Sequence, residues 1–193
     1  MSGSEPIWIV KIGSSLITQH GRGINGELID HWASGFARLK ARGVRIILVS
    51  SGAVAQGVIQ LGLPKRPTSI PQLQAVAAVG QMGLIHRYQA AFEKHDLQSA
   101  QVLLTHDDLR ARDRYLNARN TLTNLLQLDV IPIVNENDTV VTDEIRFGDN
   151  DTLAGLVANL VNADRLMIMT DQDGIFDKDP RSHKGAVLLD ESS

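Results

Sequence analysis

Lys11 is the first residue whose setting suggests chemistry, because it is a charged side chain inside an apolar run. Residues 7–12 are typical of a short strand, and Gly13, Ser14 and Ser15 follow it. Small residues after a strand let backbone N–H groups approach an anion closely. A lysine beside them would neutralise a bound phosphate group. The alternative is an edge-strand lysine whose ammonium group lies in water.

Three further polar segments directly follow other predicted strands. They are 50–53 (Ser-Ser-Gly-Ala), 135–138 (Asn-Glu-Asn-Asp) and 170–174 (Thr-Asp-Gln-Asp-Gly). In an open parallel sheet, ligands bind beyond the carboxyl ends of the strands. We therefore expect all these segments to lie along one edge of the sheet and to build a site there.

Each segment also has a purely structural interpretation. Residues 51–52 could cap a following helix, and residues 135–138 could be turn formers. The Asp-Asn-Asp triplet at 149–151 could cap the next helix, although three such residues exceed what a cap needs. The acidic residues within 171–173 could be solvated loop charges.

The elements that must position these residues follow from hydrophobic periodicity. Strands are predicted at 7–12, 44–49, 97–104, 130–134 and 166–169, with a further one at 186–189. Helices are predicted at 27–42, 53–61, 72–94, 106–127 (broken near Asp113) and 151–162. Residues 62–71 hold three prolines and are predicted to form a loop, and residues 137–148 a β-hairpin. The alternation predicts an α/β domain with a largely parallel central sheet.

Composition excludes several classes of protein. The 193 residues are 43% hydrophobic and 21% charged, which is ordinary for one soluble globular domain. A net charge of −3 does not favour binding to nucleic acid or to an anionic membrane. The sequence contains no cysteine, which excludes disulfides, thiolate nucleophiles and Cys-ligated zinc. With no signal-like N-terminus and no spanning apolar segment, we expect a cytoplasmic protein.

Several familiar motifs are absent or misplaced. Residues 21–26 fit GxGxxG, but eight residues separate them from the preceding strand, which argues against NAD binding. There is no GxxxxGK phosphate loop, and the glycine spacing in 171–179 is wrong for an EF-hand. The six histidines lack HExxH spacing and form no close pair, so no metal site is predicted. Residues 80–83 (Gly-Gln-Met-Gly) favour close helix packing over RNA recognition.

Taken in order, the motifs are more specific than any one of them alone. The ordered set consists of 10–15, 50–54, 116–122, 135–138, 147–151, 170–174 and 179–181. It resembles the glutamate 5-kinase branch of the amino acid kinase family over nearly the whole chain. Acetylglutamate and uridylate kinases typically show a glycine triplet where this chain has Ser51-Gly52-Ala53, which favours the glutamate branch.

The resemblance implies a fold and an activity. The fold would be a three-layer sandwich occupying residues 1–193, without a PUA domain. The domain would be incomplete at its C-terminal, ATP-binding end, because the family's Gly-Thr-Gly-Gly-Met segment does not occur before Ser193. The reaction would be ATP-dependent phosphorylation of the γ-carboxylate of L-glutamate with Mg²⁺, the first step of proline biosynthesis. L-proline would be a feedback inhibitor acting at or near the glutamate site, and the protein would be a dimer or tetramer.

The resemblance also implies roles on the nucleotide side of the site. Lys11 would contact the transferring phosphates, with Gly13 and Ser14 supplying closely approaching backbone. Thr170 and Asp171 would form the nucleotide-binding pair beyond the fifth predicted strand. No protein ligand for a metal ion is implied.

On the substrate side, three residues resemble the family's glutamate contacts. Asp138 would bind the ammonium group, and Ser51 and Asn150 the carboxylates. Asp151 would orient the catalytic lysine. Two other hypotheses remain open: another amino acid kinase with a different carboxylate or phosphate acceptor, or a non-catalytic module that holds glutamate or proline.

Overall fold

The central sheet is built from five parallel strands among the residues that the structure, a computed structural model, describes: 5–18, 23–142, 150–178, 180 and 182–189. The strands are β1 (Ile7–Ile12), β2 (Arg45–Val49), β3 (Ser99–Leu104), β4 (Ile131–Glu136) and β5 (Arg165–Met169). Their spatial order is β3-β4-β2-β1-β5.

Helices cover both faces of this sheet. They are α1 (Ser14–Ile17), α2 (Gly26–Lys40), α3 (Ala53–Gln60), α4 (Ile70–Glu93), α5 (His106–Arg110), α6 (Arg112–Gln127) and α7 (Asp151–Val161). One hydrophobic cluster joins the sheet to α2 and α4, and a second joins it to α6 and α7. The predicted three-layer α/β architecture with a parallel sheet is therefore confirmed.

The position of β1 decides how Lys11 is interpreted. β1 pairs with β2 on one side and β5 on the other, so it is an interior strand. Side chains alternate along a strand, and Lys11 shares a face with Ile9, which belongs to the cluster under α6 and α7. Lys11 is only 5% exposed. The edge-strand interpretation of this lysine is therefore wrong.

Most predicted boundaries differ from the structure by one or two residues, and two of the differences have a clear physical reason. The loop predicted at 62–71 ends earlier, because α4 begins at Ile70 and holds Pro71 in its first turn. Proline is tolerated there since the first-turn N–H groups have no helical partner. The helix break predicted near Asp113 lies at Ala111, whose backbone is extended between α5 and α6.

The prediction of a last strand at residues 186–189 is wrong. Residues 186–189 form no strand of the sheet, and their pairing is an isolated antiparallel bridge between Phe176 and Leu188. Backbone hydrogen bonds from Asp177 N to Val187 O and from Leu189 N to residue 175 support that bridge. The hairpin predicted at 137–148 lies largely outside the described residues, which omit 143–149.

Close packing of α3 on α4 places the start of α3 beside the site. A Cβ atom at Gly80 would lie 1.9 Å from the carbonyl oxygen of Ala53 and 2.3 Å from the nitrogen of Gly57. A Cβ at Gly57 would likewise lie 1.9 Å from the carbonyl oxygen of Val76. The packing interpretation of residues 80–83 is confirmed for Gly80, because only glycine permits this approach.

Gly80→Ala is expected to lower the free energy of unfolding by about 3 kcal/mol, because the added methyl group forces α3 away from α4. The measurement is the urea midpoint of unfolding. Gly155→Ala in α7 is the matched control, since a Cβ there meets no atom within 4 Å. That control should be neutral or slightly stabilising. Equal midpoints for the two variants would contradict the packing argument.

Candidate functional site

Three of the predicted polar segments converge at the carboxyl ends of neighbouring strands. The register pairs Lys11 with Val49 and Val49 with Val134, so the residues after these positions lie at one level. They line a cleft of about 70 Å³. The polar groups of this cleft come from Ser14, Ser51, Arg66, Asn135, Glu136, Asp138 and Asn150.

The turn between β2 and α3 presents Ser51 to the cleft. Gly52 adopts a φ of 98°, a left-handed conformation that favours glycine, and occupies the N-cap position of α3. Ser51 is 3% exposed, and its Oγ has no hydrogen-bond partner among the described residues. Helix α3 receives no side-chain cap, so capping does not explain this serine. A buried hydroxyl without a partner favours a ligand group that completes its hydrogen bonding.

Asn150 also has a role other than capping. It occupies the N-cap position of α7, yet its side chain accepts no cap hydrogen bond. Its Nδ2 instead donates to Ser50 O at 2.5 Å and to Asn135 Oδ1 at 2.6 Å. Both asparagines are buried. The interpretation of residue 150 as a simple cap is therefore wrong.

Asp138 carries the negative charge best placed to face a ligand. Burial raises its pKa to about 6, and the charge of Glu136 acts in the same direction. The guanidinium of Arg66 opposes both effects and lowers the pKa. At neutral pH the group is still ionised, and desolvation strengthens its attraction for a cation.

An ion pair between a buried lysine and a partly exposed aspartate joins β1 to α7. Lys11 Nζ pairs with Asp151 Oδ1, and the lysine side chain is 6% exposed while the aspartate side chain is 43% exposed. A Cβ at Gly13 would lie 3.9 Å from Lys11 Nζ and 3.4 Å from Met169 O. The position that a Cβ would occupy at Gly13 is therefore open and lies beside the ammonium group, although neither Lys11 nor Gly13 lines the cleft.

The N–H of Gly13 is already used, because it donates to Met169 O at 3.1 Å. Gly13 therefore contributes space rather than a hydrogen-bond donor. The same bond places the end of β5 next to Gly13, and Thr170 and Asp171 follow there. Both are exposed and lie outside the cleft residues. The structure thus separates these two from the cleft but keeps them on the same edge of the sheet.

Sequence reasoning missed three residues, of which Arg66 lines the cleft while Gln81 and His106 contact residues that line it. Arg66 lines it from the proline-rich loop, where the only signal was a basic residue in a loop. Gln81 Oε1 accepts a hydrogen bond from Asn135 Nδ2 at 2.6 Å. His106 Nδ1 lies 3.4 Å from the buried carboxylate of Glu136. Metal-type spacing between histidines along the sequence does not detect a contact between residues that are distant in the chain.

Other kinds of site are not evident in the described part of the chain. None of its groups of histidine and carboxylate side chains is arranged to hold a metal ion. No helix in that part has both the length and the apolar character needed to cross a membrane.

Curated relatives match this chain closely. It is 59% identical to a glutamate 5-kinase of Alcanivorax borkumensis over 185 residues, which cover 96% of this chain and 49% of that protein. It is 61% identical to a glutamate 5-kinase of Thioalkalivibrio sulfidiphilus over 184 residues, which cover 95% and 49%. The chain therefore spans about half the length of these relatives.

Structural and family comparisons agree with the fold described above. A crystal structure of T. acidophilum isopentenyl phosphate kinase in a product complex superposes with a TM-score of 0.60 at 18% identity, covering 95% of this chain and 78% of that one. That likeness concerns the fold alone. The sequence pattern of the amino acid kinase family matches residues 6–193. Because the match takes in the whole sheet and every residue of the cleft, this chain belongs to the amino acid kinase family.

Proposed function

We propose that the protein phosphorylates the γ-carboxylate of L-glutamate with ATP, which is the activity named for its relatives. The observation that carries this proposal is the identity of about 60% to curated glutamate 5-kinases over 95% of the chain. The cleft supports it independently, since it offers groups for both charges of an amino acid.

The glutamate side of the proposal rests on complementary charge. Asp138 attracts the α-ammonium group, and Ser51 Oγ donates to a carboxylate. Arg66, which lines the same cleft, adds a positive charge that favours a dianionic substrate over a neutral one. These contacts fix the direction in which the side-chain carboxylate of the substrate points.

The phosphate side of the proposal rests on Lys11. MgATP, when bound, supplies the γ-phosphoryl group. The ammonium of Lys11 faces the space that Gly13 leaves open, and Asp151 holds that ammonium in place. Both reactants are anionic, so a fixed cation lowers their mutual repulsion and stabilises the transition state. A carboxylate is already a nucleophile at neutral pH, so the site needs no general base. Thr170 and Asp171 remain our proposal for nucleotide contacts at the end of β5.

The remaining expectations rest on the family resemblance. We propose that L-proline inhibits by binding at or near the same cleft, since it also carries a carboxylate and a cationic nitrogen. We also propose Mg²⁺ as the ion that accompanies ATP, a homodimer or homotetramer, a cytoplasmic location, and residues 1–193 as part of one kinase domain.

Trapping of the product with hydroxylamine tests the reaction, because an acyl phosphate reacts to give a stable hydroxamate. The assay uses this chain and a chimera that adds the part of the A. borkumensis relative outside the match. Hydroxamate should form from L-glutamate and not from L-aspartate or N-acetylglutamate. Uridine monophosphate would give an anhydride that forms no hydroxamate, so its turnover is tested by ADP release, and none is expected. A folded chimera that binds glutamate without forming hydroxamate would instead indicate a non-catalytic binding module. Turnover of one of the other acceptors would indicate a different amino acid kinase.

The affinity for glutamate should depend on the ionisation of Asp138. The carboxylate attracts the substrate ammonium only when ionised, so the affinity should be constant above the pKa of about 6 and fall as the pH drops through it. Below a pH equal to that pKa, the loss of glutamate affinity should approach about tenfold per pH unit. Glutamate itself keeps its charges between about pH 5 and about pH 8. Calorimetric titration over that range checks this, and a flat profile would contradict the assignment of Asp138.

A further inference from the structure

A chain of buried amide side chains connects α4 to the cleft. Gln81 Oε1 accepts from Asn135 Nδ2 at 2.6 Å, and Asn135 Oδ1 accepts from Asn150 Nδ2 at 2.6 Å. Asn150 Nδ2 also donates to Ser50 O. Asn135 and Asn150 line the cleft, whereas Gln81 lies behind them on the helix.

Two backbone groups fix the direction of every bond in this chain. The carbonyl of Ser50 can only accept, so Asn150 must turn its nitrogen towards it. The N–H of Glu136 can only donate, and it donates to Asn135 Oδ1 at 2.9 Å. Asn135 must then turn its nitrogen towards α4, where an acceptor is required. Gln81 supplies that acceptor, and its own Nε2 is buried with no partner among the described residues.

This bonding pattern determines which atom of Asn150 is available to a ligand in the cleft. Both of its N–H groups are used within the protein, so its carbonyl oxygen is the atom left for a ligand. A carbonyl oxygen accepts a hydrogen bond and therefore suits the substrate ammonium group rather than a carboxylate. The resemblance alone placed Asn150 against the carboxylates, and the bonding pattern favours the ammonium group instead.

We propose that Gln81 is a positioning residue for substrate recognition, which acts through Asn135 to keep the carbonyl oxygen of Asn150 turned towards the ammonium group of the substrate. The inference rests on the proposed glutamate site. Gln81 itself has no place among the cleft-lining residues. Without its acceptor, Asn135 loses the partner that opposes rotation of its amide. A rotated Asn135 no longer accepts from Asn150 Nδ2, so of the two acceptors described for that nitrogen Ser50 O alone still holds it.

Glutarate separates this role from a merely structural one, because it has both carboxylates of glutamate and no amino group. Gln81→Met fills a similar volume and removes the acceptor. It should weaken L-glutamate binding about tenfold, the effect of losing one aligned hydrogen bond to a charged group, while glutarate binding stays within about twofold. Ligand-observed NMR titrations of both compounds give the two dissociation constants.

Two further variants control the result. Gln81→Glu keeps an oxygen that accepts from Asn135, so it should retain the preference for glutamate over glutarate, and it also serves if Gln81→Met does not fold. Gln89→Met removes an exposed amide of the same helix whose side chain, among the described residues, bonds to Glu93, and it should change the affinity for neither ligand.

The outcomes separate this inference from the proposed function. If the unaltered protein binds glutamate and Gln81→Met keeps its preference over glutarate, the positioning role is overturned while the proposed function stands. Equal losses for both ligands would indicate a structural role and overturn it as well. Loss of the preference in Gln81→Glu would overturn the acceptor argument. If the unaltered protein binds no glutamate, the proposed function itself fails.

Discussion

Lys11→Met is expected to abolish most turnover while leaving glutamate binding intact. The substitution removes the buried ammonium that faces the space beside Gly13, and with it the charge that screens two anionic reactants. Removing one preorganised charged group of this kind lowers turnover by about 10² to 10³-fold. The measurement is hydroxamate formation in the chimera, with glutamate affinity determined in parallel by calorimetry.

Two controls isolate the role of Lys11. Lys40→Met removes another largely buried lysine, which pairs with Asp129 at the edge of the sheet where β2 and β4 begin, and it should leave turnover unchanged. Lys11→Met combined with Asp151→Asn removes the whole ion pair and leaves no unpaired buried charge. If this double variant is folded and turns over normally, Lys11 is not the phosphate-neutralising group.

Asp138→Asn is expected to weaken glutamate binding by about 30-fold or more at pH values well above 6. The change keeps the shape of the side chain and removes the negative charge, so a partly buried, charge-assisted contact to the ammonium group is lost at a cost of about 2 kcal/mol. Isothermal titration of L-glutamate measures the loss directly.

Glutarate again provides the internal control for Asp138. It has no ammonium group, so removing a negative charge from the cleft should leave its binding unchanged or strengthen it. Asp113→Asn, on the exposed surface of α6, should alter neither ligand. Parallel weakening of both ligands by Asp138→Asn would mean that the residue supports the cleft without contacting the ammonium group.

Periodicity and turn chemistry predict most of the fold, because the interior strands and the longer helices bury apolar residues at regular positions, whereas β5 leaves most of its apolar residues exposed. Lys11 stands out in such a pattern, but its burial depends on the spatial order of the strands, which places β1 between β2 and β5 and which the sequence left open. The short motifs after each strand predict where the cleft lies, since parallel strands end at one edge. The same reasoning wrongly predicted a strand at residues 186–189, because a short apolar run need not join the sheet.

The connections across the cleft could not be predicted. Gln81 and Asn135 are 54 positions apart, and only the packing of α4 beside β4 makes them neighbours. The contact between His106 and Glu136 is likewise invisible to spacing rules. The raised pKa of Asp138 depends on burial and on a second carboxylate, which are properties of the folded chain.

Calorimetric titration of this chain with L-glutamate, and with L-aspartate as the shorter homologue, tests the central claim most directly. Ser51, Asp138 and Asn150 all line the cleft in this chain, so we expect the chain to bind glutamate by itself. Saturable heat from L-glutamate and none from L-aspartate is the expected result. In a sample shown to be folded, the absence of binding heat from L-glutamate, or equal binding of both amino acids, would contradict a glutamate site built from Ser51, Asp138 and Asn150.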